Sequence, residues 1–188
     1  MTRLVPVALT ETDLPMAELG SARLDGELFT LAGAWCPVDA LDGPETRAGA
    51  IQPVAPRRAA AERLTAAWIY GLAPEPAEHQ FCVDVSARTH LQPGAPVHLR
   101  EVKLARGDAV RVGGLLVTTP LRTAVDLARW GAGPEQRADP VVIAALLARA
   151  GLTTAGVGTP PPAGPRGVSF TRVAEETLHD AVRLLPRD

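Results

Sequence analysis

Asp84 and the run Glu101-Val102-Lys103 are the residues in this chain best suited to bond cleavage. An acidic residue on one strand followed by Glu-x-Lys on the next is how restriction-type nucleases hold a divalent metal. The carboxylates bind the ion and the lysine stabilises the developing charge. The same pattern arises on any charged strand, where Glu101 and Lys103 share one solvated face. A second group is His79 and Cys82, with Cys36 and His90 as further candidate ligands. Structural zinc takes four ligands, usually in tight pairs, and this chain offers one loose pair, so no metal site is assigned. Buried cysteines are also ordinary core residues. No phosphate loop, dinucleotide fingerprint or nucleophile elbow is present, and Ser86 and Ser169 lack the Gly-x-Ser-x-Gly setting. The expectation is a non-catalytic protein with no cofactor.

Arg47, Arg57, Arg58 and Arg63 form a cationic group that could touch DNA phosphates. Their alternative role is a solvated helix face. Lys103 is the only lysine, so an arginine-favouring composition accounts for much of this pattern.

The elements that must position these residues follow from periodicity. Pro15 to Leu24 reads as a short helix. Glu27 to Leu31 and Ala34 to Val38 read as two strands joined at Ala32-Gly33. A helix followed by a β-ribbon is the end of a winged helix-turn-helix, here short and incomplete. Residues 57–70 read as a helix, with Ala60, Leu64, Ala67 and Trp68 on one stripe and Gly71 as its stop. Strands are expected at 80–85, 97–102, 110–112 and 115–117, the last two forming a hairpin across Gly113-Gly114. Thr119 is an N-cap and Pro120 the first helical residue of the next helix. On that helix Arg122 and Asp126 stand one turn apart, close enough to pair. Asp139-Pro140 repeats the capping pattern before an apolar run expected to be buried all round. A Pro-rich linker at 156–167 leads to an amphipathic helix from Thr171 to Leu185.

Length and composition bound the reading. The 188 residues suit one domain with a small appendage, and 46% hydrophobic residues suffice for a core. The formal charge of −2 argues against a polybasic protein. Charge is uneven, however. Residues 1–44 carry two arginines against seven carboxylates. Two cysteines exclude a disulfide-dense scaffold. No apolar run approaches a membrane span and the start lacks a signal-peptide core, so the expected compartment is the cytoplasm and no membrane partner is expected. The expected division is 1–52, a small winged-helix-like unit; 53–150, a mixed α/β domain; and 151–188, a linker with a terminal helix. The fold class is α+β or α/β.

The segment Gly113-Gly114-Leu115-Leu116-Val117-Thr118-Thr119-Pro120-Leu121-Arg122-Thr123-Ala124-Val125-Asp126-Leu127-Ala128 resembles the G-x-P-V-T-x-P-x-R-T-x-x-D-L-A signature of AbiEi-type antitoxins of type IV toxin–antitoxin systems. Ala61 to Leu72 and Val97 to Arg100 fall where that family keeps a helix and a strand. The resemblance covers roughly residues 10–150. It implies a DNA-binding N-terminal unit that represses its own operon. It also implies a C-terminal domain that neutralises a nucleotidyltransferase-type toxin without requiring direct contact. Thr119, Pro120, Arg122 and Asp126 are the motif residues, and the chemistry of each suggests that they maintain the fold. The alternatives are a small metal-dependent nuclease using Asp84, Glu101 and Lys103, or an interaction module without DNA binding.

Overall fold

The structure, a computed structural model, describes residues 6–87, 96–131, 137–154 and 172–186. His90, Ser169, Thr171 and the linker expected at 156–167 lie outside these residues.

The chain begins with helix α1 (Met16–Leu24) and the antiparallel hairpin β1 (Leu28–Leu31) and β2 (Ala34–Pro37). Ala32 and Gly33 both take positive φ, at 49° and 78°. Two such residues make the tight turn whose twist suits a hairpin. Leu9, Leu19 and Leu28 form a small core of their own beneath α1. Leu9 also pairs with Trp35 through two backbone bonds of 2.7 and 3.1 Å.

Helix α2 (Pro44–Ile51) follows, with Pro44 in its first turn. The sequence reading assigns no element to these residues. Ala48 and Ile51 are buried in the same core as Trp68, Phe81 and Leu127. The packing therefore runs through residue 52 without a break.

The main sheet has five strands in the order β5-β4-β3-β7-β6. These are β3 (Ala60–Ala61), β4 (His79–Asp84), β5 (Val97–Val102), β6 (Ala109–Val112) and β7 (Leu115–Thr118). Strand β3 pairs antiparallel with β4 and parallel with β7, and β4 runs parallel to β5. The helix expected at 57–70 is shorter. Helix α3 spans Arg63–Ile69, while Ala60-Ala61 joins the sheet. Two alanines have small side chains that fit either state, so pairing on both sides decides for strand over helical propensity.

Helices α4 (Pro120–Trp130), α5 (Pro140–Arg149) and α6 (Arg172–Arg183) pack together, and α4 also packs on α3. Thr119 and Asp139 cap α4 and α5 as the sequence reading expects. Helix α5 is not buried all round, since Val141 is 61% exposed. Ile143, Leu146 and Leu147 form its inner face, and Ala174, Leu178 and Ala181 that of α6. The fold is mixed α/β.

Candidate functional site

The capped start of α4 sits at the end of β7, and a hydroxyl network fixes it there. Thr118 Oγ1 and Thr123 Oγ1 lie 2.7 Å apart, and Thr118 Oγ1 donates to the Ala61 carbonyl at 3.2 Å. Tyr70 donates its phenol hydrogen to the Thr118 carbonyl at 2.8 Å. Burial pushes the Tyr70 hydroxyl up to about 12, against the pull of nearby Arg149. Thr118 and Thr123 are completely buried. Buried hydroxyls need such partners, because an unmade bond costs about 1–3 kcal/mol.

One turn into α4, Arg122 donates from Nε to Asp126 Oδ2 at 2.8 Å. Its Nη1 reaches the Lys103 carbonyl at 3.1 Å and also pairs with Asp108. Asp108 is itself the anchor of the β5–β6 loop: its Oδ2 accepts from Ala105 N and its carbonyl from Thr119 N. Arg122 thus ties the helix to that loop. Asp126 is almost completely buried, and burial pushes its carboxyl up despite the adjacent Arg122.

A second ion group lies next to it, made by Glu62 and Arg100, to which the sequence gives no chemical role, and by Arg63, which it offers only as a DNA-phosphate contact. Glu62 follows β3 and is completely buried. It accepts a side-on pair from Arg100 on β5, Nε to Oε1 at 2.7 Å and Nη2 to Oε2 at 2.6 Å. The bond crosses β4, on the face that carries Cys82, since Ala60, Cys82 and Arg100 stand in register. Burial first, and then the Glu62 and Asp126 charges, push the Cys82 thiol up.

Arg63 completes this group. It is 3% exposed and takes φ +46°, the left-handed region that side chains with a Cβ avoid. Its Nε lies 3.3 Å from Glu62 Oε1, but Nε and Nη2 make no hydrogen bond. Burial pulls the Arg63 charge down, while Glu62 supports it. No pattern of spacing could have singled out Glu62, Arg63 and Arg100 together. They meet only because β3 and β5 flank the same strand.

The structure separates the other candidates. Asp84 lies in register with Val102, whereas Glu101 lies in register with Val83. Neighbours in register share a face and successive residues alternate, so Asp84 and Glu101 stand on opposite faces of the sheet. The Asp84 carboxylate accepts from Ser86 N at 2.9 Å and Leu104 N at 2.8 Å, closing the ends of β4 and β5. The Ser86 hydroxyl first, then these amides, pull it down to about 2. His79 and Cys82 are three apart on β4 and also face oppositely. His79 stacks near Trp68 at 5.6 Å between ring centroids, and burial lowers its affinity for a proton. Cys36 is buried in another cluster, in the hairpin. Among the described residues no group of three His, Cys, Asp or Glu side chains converges on a point.

The four arginines are also dispersed. Arg47 pairs side-on with Asp42 at 2.8 Å and donates to the Trp68 carbonyl at 2.8 Å. Arg63 is buried at the start of α3, which begins there and not at 57. Arg57 and Arg58 are exposed.

No helix among the described residues is long and apolar enough to cross a membrane. No curated protein matches the chain. Among solved structures, the RV2827C protein from Mycobacterium tuberculosis is similar at 16% identity and a TM-score of 0.39. The match covers 94% of this chain and 72% of that one. The AbiEi antitoxin C-terminal domain family matches residues 59–150. That stretch contains β3 to β7, α3 to α5 and both ion groups. Across residues 59–150, the chain thus matches the AbiEi-type antitoxin family.

Proposed function

We propose that this protein is a non-catalytic antitoxin that counteracts a nucleotidyltransferase-type toxin. The observation that carries this reading is the family match over residues 59–150, together with the use its motif residues find there. Thr119, Pro120, Arg122 and Asp126 are committed to holding α4 against β7 and the β5–β6 loop. Their partners are protein groups, as a scaffold requires. The opposed faces of Asp84 and Glu101 argue against the metal-dependent nuclease.

Promoter DNA is the second proposed partner, with the α1–β1–β2 unit in the place of a winged helix. That unit is acidic, so cationic contacts must come from outside it. Arg57 and Arg58 are the exposed members of the proposed group. The proposed compartment is the cytoplasm, where such a toxin would act.

Two experiments test this. Co-expression with a nucleotidyltransferase-type toxin should restore growth of toxin-poisoned cells, and no rescue by folded protein would refute the antitoxin reading. Binding to its own promoter over a salt series should lose slope in the Arg57→Ala, Arg58→Ala double variant, by about 0.9 per lost contact. Absence of binding at low salt would leave an interaction module without DNA.

A further inference from the structure

A buried guanidinium group, that of Arg63, and a half-buried one, that of Arg100, compete for one carboxylate. Glu62 is held by Arg100, yet Arg63 lies 3.3 Å from the same Oε1 with Nε and Nη2 lacking hydrogen-bond partners. Nε and Nη2 form the side-on fork that Arg100 itself uses on Glu62. A fork of this kind fits a two-oxygen anion. Arg63 therefore stands beside the Glu62 carboxylate, in a strained backbone conformation, while Arg100 occupies that carboxylate.

Arg100 differs from Arg63 in having a way out. Its side chain is 18% exposed, against 4% for Arg63. Its guanidinium lies over the Trp130 ring, 5.1 Å from the centroid. Trp130 is 52% exposed, and Arg129 stands over the same ring at 5.1 Å. His98, exposed two residues before Arg100, shares its face of the edge strand β5. The outer end of the Glu62 pair thus opens on an aromatic ring flanked by the Arg100 and Arg129 guanidinium groups.

We infer that Arg100 and Trp130 form a nucleotide site, and that Glu62 passes from Arg100 to Arg63 when the site fills. A phosphate group draws Arg100 off Glu62, and the base stacks on the ring face that Arg100 leaves. Stacking on an aromatic ring suits any base. Removing Arg100 alone would strand a buried carboxylate, which is strongly unfavourable. Closure of the Arg63 fork on Glu62 removes that penalty. The inference does not depend on the antitoxin reading.

The test is calorimetric titration of the full chain with adenosine 5′-monophosphate, with adenosine and inorganic phosphate as separate probes. The nucleotide should bind more tightly than either fragment. Trp130→Ala should weaken it about tenfold or more, the loss of one stacked base. Arg63→Met should weaken it by a similar factor although Arg63 does not touch the ligand, while leaving thermal stability unchanged or raised. In unmutated protein, the Arg63 Nε–H resonance should shift on nucleotide addition, which reads the handover without any substitution. Phosphate binding as tightly as the nucleotide, or binding indifferent to Trp130, would overturn the nucleotide assignment. Nucleotide binding with an unmoved Arg63 resonance, or with unchanged affinity in folded Arg63→Met, would overturn the handover. No nucleotide binding at millimolar concentration would overturn both.

Discussion

Glu62 and Arg100 sit on opposite sides of strand β4 and clasp each other across it with two bonds of 2.7 and 2.6 Å. The pair joins β3 at the middle of the sheet to β5 at its edge.

Breaking it from the carboxylate side should be costly. Glu62→Gln leaves Arg63 and Arg100 without their nearest counter-charge in a buried place. Urea unfolding should show a loss of about 3 kcal/mol. Replacing Glu62 by Leu with Arg63 and Arg100 by Met in one chain should recover most of it, because then no charge is stranded. A triple variant as unstable as Glu62→Gln would mean that the ion group supplies net stability.

The two helix caps should differ. Asp139 accepts from Val141 N at 2.8 Å, while Thr119 accepts from Arg122 N at 3.3 Å. A cap is worth about 1 kcal/mol, and a carboxylate adds attraction to the helix dipole. Asp139→Ala should therefore lower the unfolding free energy by about 1 kcal/mol, and Thr119→Ala by less. The reverse order in chemical denaturation would refute the geometric argument.

These caps were legible because they are local. Thr119-Pro120 and Asp139-Pro140 carry their physics within four residues, and the hairpin at Gly113-Gly114 does the same. Helix α2 was missed because its buried side chains find their partners in α3 and the distant sheet. Ala60-Ala61 was misread because strand pairing outweighed a weak helical pattern. The Arg122–Asp126 contact follows from spacing on one helix. The Glu62 group depends on three strands meeting, which no window of sequence contains.

Gly113 should be far less replaceable than Gly26. Both have positive φ, +53° and +77°. A Cβ on Gly26 meets nothing within 4 Å, so Gly26→Ala should cost about 1 kcal/mol of backbone strain. A Cβ on Gly113 would lie 2.7 Å from the Glu45 carbonyl oxygen, and backbone cannot swing aside. Gly113→Ala should cost at least about 2 kcal/mol in thermal unfolding, by prising α2 from the β6–β7 turn. Equal losses at the two glycines would contradict this packing.

Asp84 should make stability depend on pH in acid. Its folded value of about 2 lies below the unfolded value of about 4. The stabilisation is complete above pH 4 and disappears as pH falls through 2. The gap in stability between wild type and Asp84→Asn should thus widen from pH 2 to pH 4 and stay level above it. A gap constant across that window would show that Ser86 and Leu104 do not favour the charged carboxylate.

The antitoxin reading is tested most directly by growth rescue. Cells carrying a nucleotidyltransferase-type toxin are induced for it with the full chain, its Arg57→Ala, Arg58→Ala variant, or an empty vector. The account predicts rescue by both proteins and none by the vector, because the antitoxin role is assigned to the 59–150 domain and DNA contact to the two exposed arginines outside it. Failure of the folded, abundantly expressed wild-type chain to restore growth would contradict it.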